Sequence, residues 1–282
     1  MILQYLCAPM NSWKRFFYFI LAFGIIALSG CSKYQSLLKS SDTTLKLQKA
    51  KEYYNSGQYY KALPLFEELI NFYKGTKEME DIAYYYAYTH FHMNENLLAA
   101  YYFKNFATTY SSNEHAEECL FMNAKCYYLL SPDIQLEQSY TEKAIGELQL
   151  FANQYPSGKY VQDANQMIDD MRRKLDLKAF KSAELYFKMG RYNAAAVAFK
   201  NLLRDFPDSP YIERAMFMII KSNYLYALNS IPVKQKERYQ TTIDSYQIFA
   251  NKYSGSAYLN EAKNLYETST KNITKIKTDE QE

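Results

Sequence analysis

GRYNAAAVAF, residues 190–199, repeats the framework of GQYYKALPLF, residues 57–66: a glycine, a tyrosine two positions on, an alanine at the fifth and a phenylalanine at the ninth. A glycine followed by apolar residues three and four apart marks the end of one helix and the apolar stripe of the next. A second motif completes the first. FANQYPSGKYVQDAN, from Phe151, recurs 98 positions later as FANKYSGSAYLNEAK, from Phe249, and FATTYSSNEHAEECL, from Phe106, is a third copy. Joined, the halves form a unit that occurs five times. Its large anchor is Phe66, Phe103, Leu148, Phe199 and Tyr246, with Ala62, Ala99, Ala144, Ala195 and Thr242 four positions earlier. Seven positions after each anchor comes an aromatic (Tyr73, Tyr110, Tyr155, Phe206, Tyr253), and nine further on Ile82, Cys119, Ala164, Ala215 and Ala262.

This unit resembles the tetratricopeptide repeat, G-x-Y-x-x-A-x-x-x-F…P, and each position has a physical reason. Gly57, Asn94 and Gly190 supply the left-handed residue that ends a first helix. The small residue lets two helices approach, the anchor fills the groove between them, and Pro or Ser ends the second helix. One hairpin cannot bury its apolar stripe alone, so neighbours stack into a continuous core. The expected fold is all-α, an α-solenoid of about five tetratricopeptide-like hairpins. Pro64, two residues after Ala62, is a misfit that predicts a late helix start or a kink.

Anchor spacings of 37, 45, 51 and 47 exceed the 34 residues of the standard repeat and locate inserted material. SPDIQLEQS (131–139) reads as a loop before the third unit, 160–189 as one or two long helices, and NSIPVKQKERY (229–239) as an insert before the last unit. The tail from Thr268, TSTKNITKIKTDEQE, is polar and expected to fray. The expected division is 1–30 leader, 31–41 lipidated linker, 42–130 repeats 1–2, 131–274 repeats 3–5 and 275–282 polar tail.

Composition agrees with long helices. Six of the seven prolines and six of the eight glycines follow Cys31, few breakers for so long a stretch. Of 33 basic residues two, Lys14 and Arg15, lie in the leader, which leaves 31 against 30 acidic and gives no electrostatic reason to expect nucleic acid. The 17% aromatic content is assigned to packed helical core rather than base stacking.

Lys14-Arg15 precedes FFYFILAFGIIAL (16–28), 13 apolar residues: the length of a signal-peptide core, short of the ~20 that a bilayer requires. The residues that follow, Leu28-Ser29-Gly30-Cys31, match the lipobox of bacterial lipoproteins. That resemblance implies diacylglycerol on the Cys31 thiol, cleavage before it and acylation of the new amine. Two or three acyl chains make a durable anchor where one is marginal. Lys33 follows with no acidic cluster, so the body is read as periplasmic. Cys119 and Cys126, seven apart on one helix and hence about 10.5 Å apart, are beyond disulfide reach and read as core thiols.

Enzyme chemistry is not indicated. His90 and His92, two apart on a helix, face different sides and make no metal pair. There is no phosphate-binding glycine loop, no G-x-S-x-G and no H-E-x-x-H. Glu67-Glu68, Glu117-Glu118 and Asp169-Asp170 read as solvated helix surface, and so does the basic run MRRKLDLK (171–178), with an acidic partner or lipid head groups as its alternative use. No catalytic residue, metal or cofactor is expected beyond the acyl and diacylglycerol groups on Cys31.

Lipobox, linker SKYQSLLKSSD (32–42), five repeats, and the stretches INFYKGT (70–76), RKLDLKAFKSAELYFKMGRYNAA (173–195) and LLRDFPDSPYIE (202–213) together resemble the BamD family of the outer-membrane β-barrel assembly machine. The resemblance implies a non-enzymatic scaffold, lipid-anchored in the outer membrane with its body facing the periplasm. It implies C-terminal repeats that bind a BamA-like barrel protein, other assembly-machine lipoproteins as neighbours, and N-terminal repeats that receive unfolded outer-membrane proteins. A concave repeat surface lined by aromatic side chains suits extended peptides. Candidate groove residues are Tyr84, Tyr85, Tyr88, Tyr101 and Tyr102, with inter-repeat core as the competing use of each. Two rival readings are a repeat lipoprotein acting as pilotin for a secretin or pilus pore and a surface glycan-binding lipoprotein.

Overall fold

The five small residues that precede the anchors are all fully buried, as are Phe66, Phe103, Leu148 and Phe199. The computed structural model describes residues 33–279, and every regular element among them is a helix. In chain order these are α1 (33–38), α2 (Thr43–Asn55), α3 (Tyr59–Phe72), α4 (Glu78–His92), α5 (Asn96–Thr109), α6 (Ala116–Leu130), α7 (Ser139–Gln154), α8 (Val161–Lys188), α9 (Tyr192–Asp205), α10 (Ile212–Leu228), α11 (Pro232–Lys252) and α12 (Leu259–Asp279). The described residues are all-helical, built of hairpins of the tetratricopeptide type, and fall into two compact units divided between Cys126 and Tyr127.

The helix ends, the terminating aromatics and the buried small residues each recur with one geometry. Gly57, Asn94 and Gly190 have φ of 73°, 61° and 71°. The next residue's N–H reaches back over the turn: Gln58 to Tyr53 O, Glu95 to His90 O and Arg191 to Tyr186 O, at 2.8, 3.0 and 2.9 Å. That closure satisfies a carbonyl that the helix end would otherwise strand. The aromatic after each anchor ends the second helix. The N–H groups of Tyr73, Tyr110, Tyr155, Phe206 and Tyr253 donate to the carbonyls of Leu69, Phe106, Phe151, Leu202 and Phe249, four back in each case. Ile82, Cys119, Ala164, Ala215 and Ala262 are fully buried, so the next helix packs where the side chain is modest.

In the first unit α2 packs on α3, α3 on α4 and α4 on α5. One side of α3 (Ala62, Leu65, Phe66, Leu69) meets Ala50 of α2 with Ile82 and Tyr86 of α4 in a single core. In the second unit α7 packs on α8, and each helix from α8 to α12 on the next. Phe180, Ala183, Ala195, Phe199, Leu202, Ala215 and Ile219 form one core, and Phe217, Ile220, Phe249 and Ala262 another. Tyr246, the tyrosine anchor, is half-buried and stacks on Tyr266 at 4.7 Å.

Several local expectations need correction. Pro64 does not delay its helix: α3 begins at Tyr59, with Lys61 and Ala62 N–H both donating to Gln58 O, and Pro64 lies inside it. The carbonyl that Pro64 cannot serve belongs to Tyr60, which is exposed to water. Within the expected linker the described residues, 33–42, are not free throughout, since α1 docks on the first hairpin. Tyr34 Oη donates to Lys61 O at 3.0 Å, Leu37 is buried, and the buried ammonium of Lys46 bridges Leu38 O and the Glu68 carboxylate. The insert at 229–239 is mostly helix, because Pro232 starts α11 at its first position, where its missing N–H has no cost. The tail from Thr268 continues α12 to Asp279. There Thr268, Ser269, Thr270, Thr274 and Thr278 each donate to the carbonyl four residues back, and Ser269 is fully buried. The long stretch after Tyr160 is one helix of 28 residues, α8.

The loop 131–138 is held from within. Buried Gln138 donates to Asp133 O and Leu136 O and accepts from Thr141 Oγ1. Two residues of the basic run complete it: Lys174 Nζ reaches Ser131 Oγ at 2.7 Å, and Lys178 Nζ reaches Ile134 O and Leu136 O at 2.8 and 2.6 Å. Cys119 and Cys126 are both buried free thiols of α6.

Candidate functional site: an aromatic face around Glu118

Tyr84, Tyr88 and His92 are spaced by four along α4 and so lie on one side of it. Tyr84 and Tyr88 have ring centroids 4.8 Å apart, and Tyr88 lies 6.1 Å from His92. His92 stacks on Tyr59 of α3 at 4.6 Å, and Tyr54 of α2 meets Tyr59, His92 and Tyr85 at 5.5, 5.7 and 5.0 Å. Glu118 of α6 closes the array. Its carboxylate accepts from Tyr88 Oη in a short hydrogen bond and from Tyr84 Oη at 3.4 Å. His115 lies against the Tyr84 ring at 4.4 Å, its Nδ1 3.5 Å from the same carboxylate.

Buried phenylalanines of α5 position the rings: Tyr88 meets Phe103 edge-on at 4.8 Å and Tyr84 meets Phe106 edge-on at 6.0 Å. Burial pushes the Tyr84 and Tyr88 phenols far above their usual pKa, and the adjacent Glu118 adds to the shift. Tyr54 is raised too, chiefly by burial. All three therefore remain neutral donors throughout the physiological range. Partial burial lowers the pKa of His92, which favours its neutral ring.

The five groove candidates divide between the two faces of α4. Tyr84, Tyr85 and Tyr88 belong to this array, although Tyr85 also stacks on Phe66 at 5.9 Å and lies against the core. Tyr102 faces the other way, stacked on buried His90 at 5.1 Å and edge-on to Tyr86 at 4.6 Å, and Tyr101, 58% exposed, meets Tyr102 edge-on at 5.2 Å. Tyr54, Tyr59, His92, His115 and Glu118 were not among the candidates. Glu118 reads in sequence as half of a solvated acidic pair. One available signal was its frame position, directly before Cys119, where the preceding helix comes within reach.

The array offers ring faces, phenolic donors and a partly open carboxylate. Among the described residues no group of three or more His, Cys, Asp or Glu side chains could hold a metal ion, and no helix is long and apolar enough to cross a membrane. Cys31 and the leader lie outside the described residues.

Hairpins of this geometry, with their repeated left-handed turns and buried small residues, define a helical-repeat protein of the tetratricopeptide type. More specifically, the chain belongs to the YfiO family of outer membrane lipoproteins, which matches residues 41–241. It is 26% identical over 142 residues to the outer membrane protein assembly factor BamD of Caulobacter vibrioides, an alignment that covers 50% of this chain and 47% of that protein. The chain thus spans about half the length of this relative. It is 22% identical over 204 residues to the putative outer membrane protein assembly factor BamD of Aquifex aeolicus, covering 72% and 67% of the two chains. The crystal structure of the P58(IPK) TPR domain aligns with 86% of this chain and 68% of its own, at 14% identity and a TM-score of 0.39.

Proposed function

We propose that this protein is a non-enzymatic scaffold of outer-membrane β-barrel assembly, held to the membrane by acyl chains on Cys31. In this reading its first unit receives unfolded outer-membrane proteins and its second docks a BamA-like barrel protein, with further lipoproteins of the same machine as neighbours. The observation that carries the reading is the aromatic face of Tyr54, Tyr59, Tyr84, Tyr88 and His92 in a chain of this family. Such a face takes extended aromatic-rich segments through stacking and apolar contact, with modest demands on their sequence.

The test is affinity purification from gently solubilised envelopes, with a photo-crosslinker at position 88. Recovery of a BamA-like protein, and crosslinks to unfolded barrel precursors that fade in Tyr84→Ala/Tyr88→Ala, are the expected results. Recovery of a secretin without a BamA-like protein, or rapid shaving of the body from intact cells by protease, would overturn the reading in favour of a pilotin or a surface glycan binder. Cys31→Ala is expected to abolish lipid labelling and leave a longer precursor; unchanged processing would refute the anchor.

A further inference from the structure

One position before Ile82, Cys119, Ala164, Ala215 and Ala262 stand Asp81, Glu118, Asp163, Arg214 and Glu261. In three of these five places the side chain forms an ion pair with the first helix of the preceding repeat: Lys51 with Asp81 at 2.8 Å, Glu184 with Arg214 at 2.5 Å and Lys221 with Glu261 at 2.8 Å. The cation also lies over a ring in each: Lys51 over Tyr85 at 5.2 Å, Arg214 over Phe180 at 5.0 Å and Lys221 over Phe217 at 5.8 Å. The fold therefore builds one arrangement three times, a cation held between a carboxylate and an aromatic face.

At Glu118 the carboxylate and the rings are present, and the residue that should bring the charge is a tyrosine. Lys51, Tyr88 and Glu184 share one frame position, six residues before Gly57, Asn94 and Gly190. Tyr88 donates a hydrogen bond to Glu118 but carries no positive charge. His115, the residue before α6, approaches at 3.5 Å, and the Glu118 side chain keeps 28% of its surface open to solvent. A carboxylate left without lysine or arginine beside two tyrosine rings is suited to a cation from outside the chain.

We propose that Glu118, with the rings of Tyr84 and Tyr88, is a subsite for a lysine or arginine side chain of a bound peptide. This rests on the reading of the aromatic face as a peptide-binding surface and adds a charge requirement to it. Peptides with a basic residue among aromatic ones are the preferred class, and neutral aromatic peptides bind the same face more weakly.

The test uses the chain from residue 31 with Cys31→Ser and two fluorescein-labelled extended peptides, identical except for arginine or its neutral isostere citrulline at the centre. The arginine peptide should bind about tenfold more tightly, the effect of one charge-assisted hydrogen bond. Glu118→Gln, which keeps the shape, should remove that difference while the citrulline peptide still binds. Tyr88→Lys, which supplies the chain's own cation, should remove it as well. Equal binding of the two peptides by the parent chain, or a preference that survives in Glu118→Gln, would overturn the subsite and leave the peptide face standing. Failure of both peptides to bind would overturn the peptide reading and the subsite together.

Discussion

Gly190 isolates the contribution of backbone conformation to this repeat. It has φ of +71°, and a Cβ built on it meets nothing within 4 Å. Replacement therefore costs stability through the dihedral alone, with no clash to confuse the result. Holding an L-residue in the left-handed region costs about 1–2 kcal/mol. Alanine recovers about 0.4–1 kcal/mol by stiffening the unfolded chain. The net loss expected for Gly190→Ala is thus about 1 kcal/mol, and for β-branched valine about 2 kcal/mol. Asparagine should be nearly neutral, because Asn94 already fills the equivalent place at φ 61°. At roughly 2–4 °C per kcal/mol for a unit of this size, alanine should lower Tm by about 3 °C and valine by about 6 °C. Far-UV circular dichroism on thermal unfolding gives the order, and hydrogen exchange should place the loss in α8 and α9. Valine at or above the parent, or asparagine as costly as valine, would refute the assignment of this glycine as a left-handed helix end.

Phe199→Ala empties a fully buried anchor and is expected to cost about 3–5 kcal/mol, whereas Tyr246→Ala, at a half-buried stack on Tyr266, should cost about 1–2 kcal/mol; urea midpoints compare the two. Burial raises both core thiols, Cys126 up to about 12, so at pH 8 neither should react with iodoacetamide until the chain unfolds. Alkylation of either in the native chain at the rate of a free thiol would contradict the packing. Burial also raises the Asp176 pKa, although Ser209 Oγ donates to it at 2.7 Å. An acid with a raised folded pKa is best tolerated when protonated and costs stability as pH rises through that value. Asp176→Asn should therefore gain on the parent as pH climbs above about 4, and the two should converge in more acid solution. A constant difference in urea midpoint across pH would show that the charge is not the cause.

Local repetition was legible because each conserved spacing corresponds to a short-range constraint. Glycine or asparagine ends a helix, alanine admits a neighbour and phenylalanine fills a groove, and each does so within ten residues of the chain. Elements that depend on distant partners were not legible. The helix at 33–38 forms against Lys61 and Lys46, contacts that its own polar sequence does not announce. The tail of α12 is equally polar and persists because Ser269 and its neighbours pack and return their hydroxyls to the helix backbone. The basic run 171–178 looked like one solvated face, yet Lys174 and Lys178 close the loop at 131–138.

The same division holds for the site. Periodicity alone determined that the tyrosines of α4 alternate between two faces, since residues four apart share a side and residues two apart oppose one another. Only the tertiary structure decided which face gathers Tyr54, Tyr59 and Glu118, because those residues come from three other helices and meet α4 through ring contacts and hydrogen bonds. Charge shows the limit most clearly. In sequence Asp81 and Glu118 are equivalent acids, each directly before the buried residue of its repeat. In space one is matched by a lysine and the other by a phenol, because the partner is set thirty residues earlier, on the preceding repeat's helix.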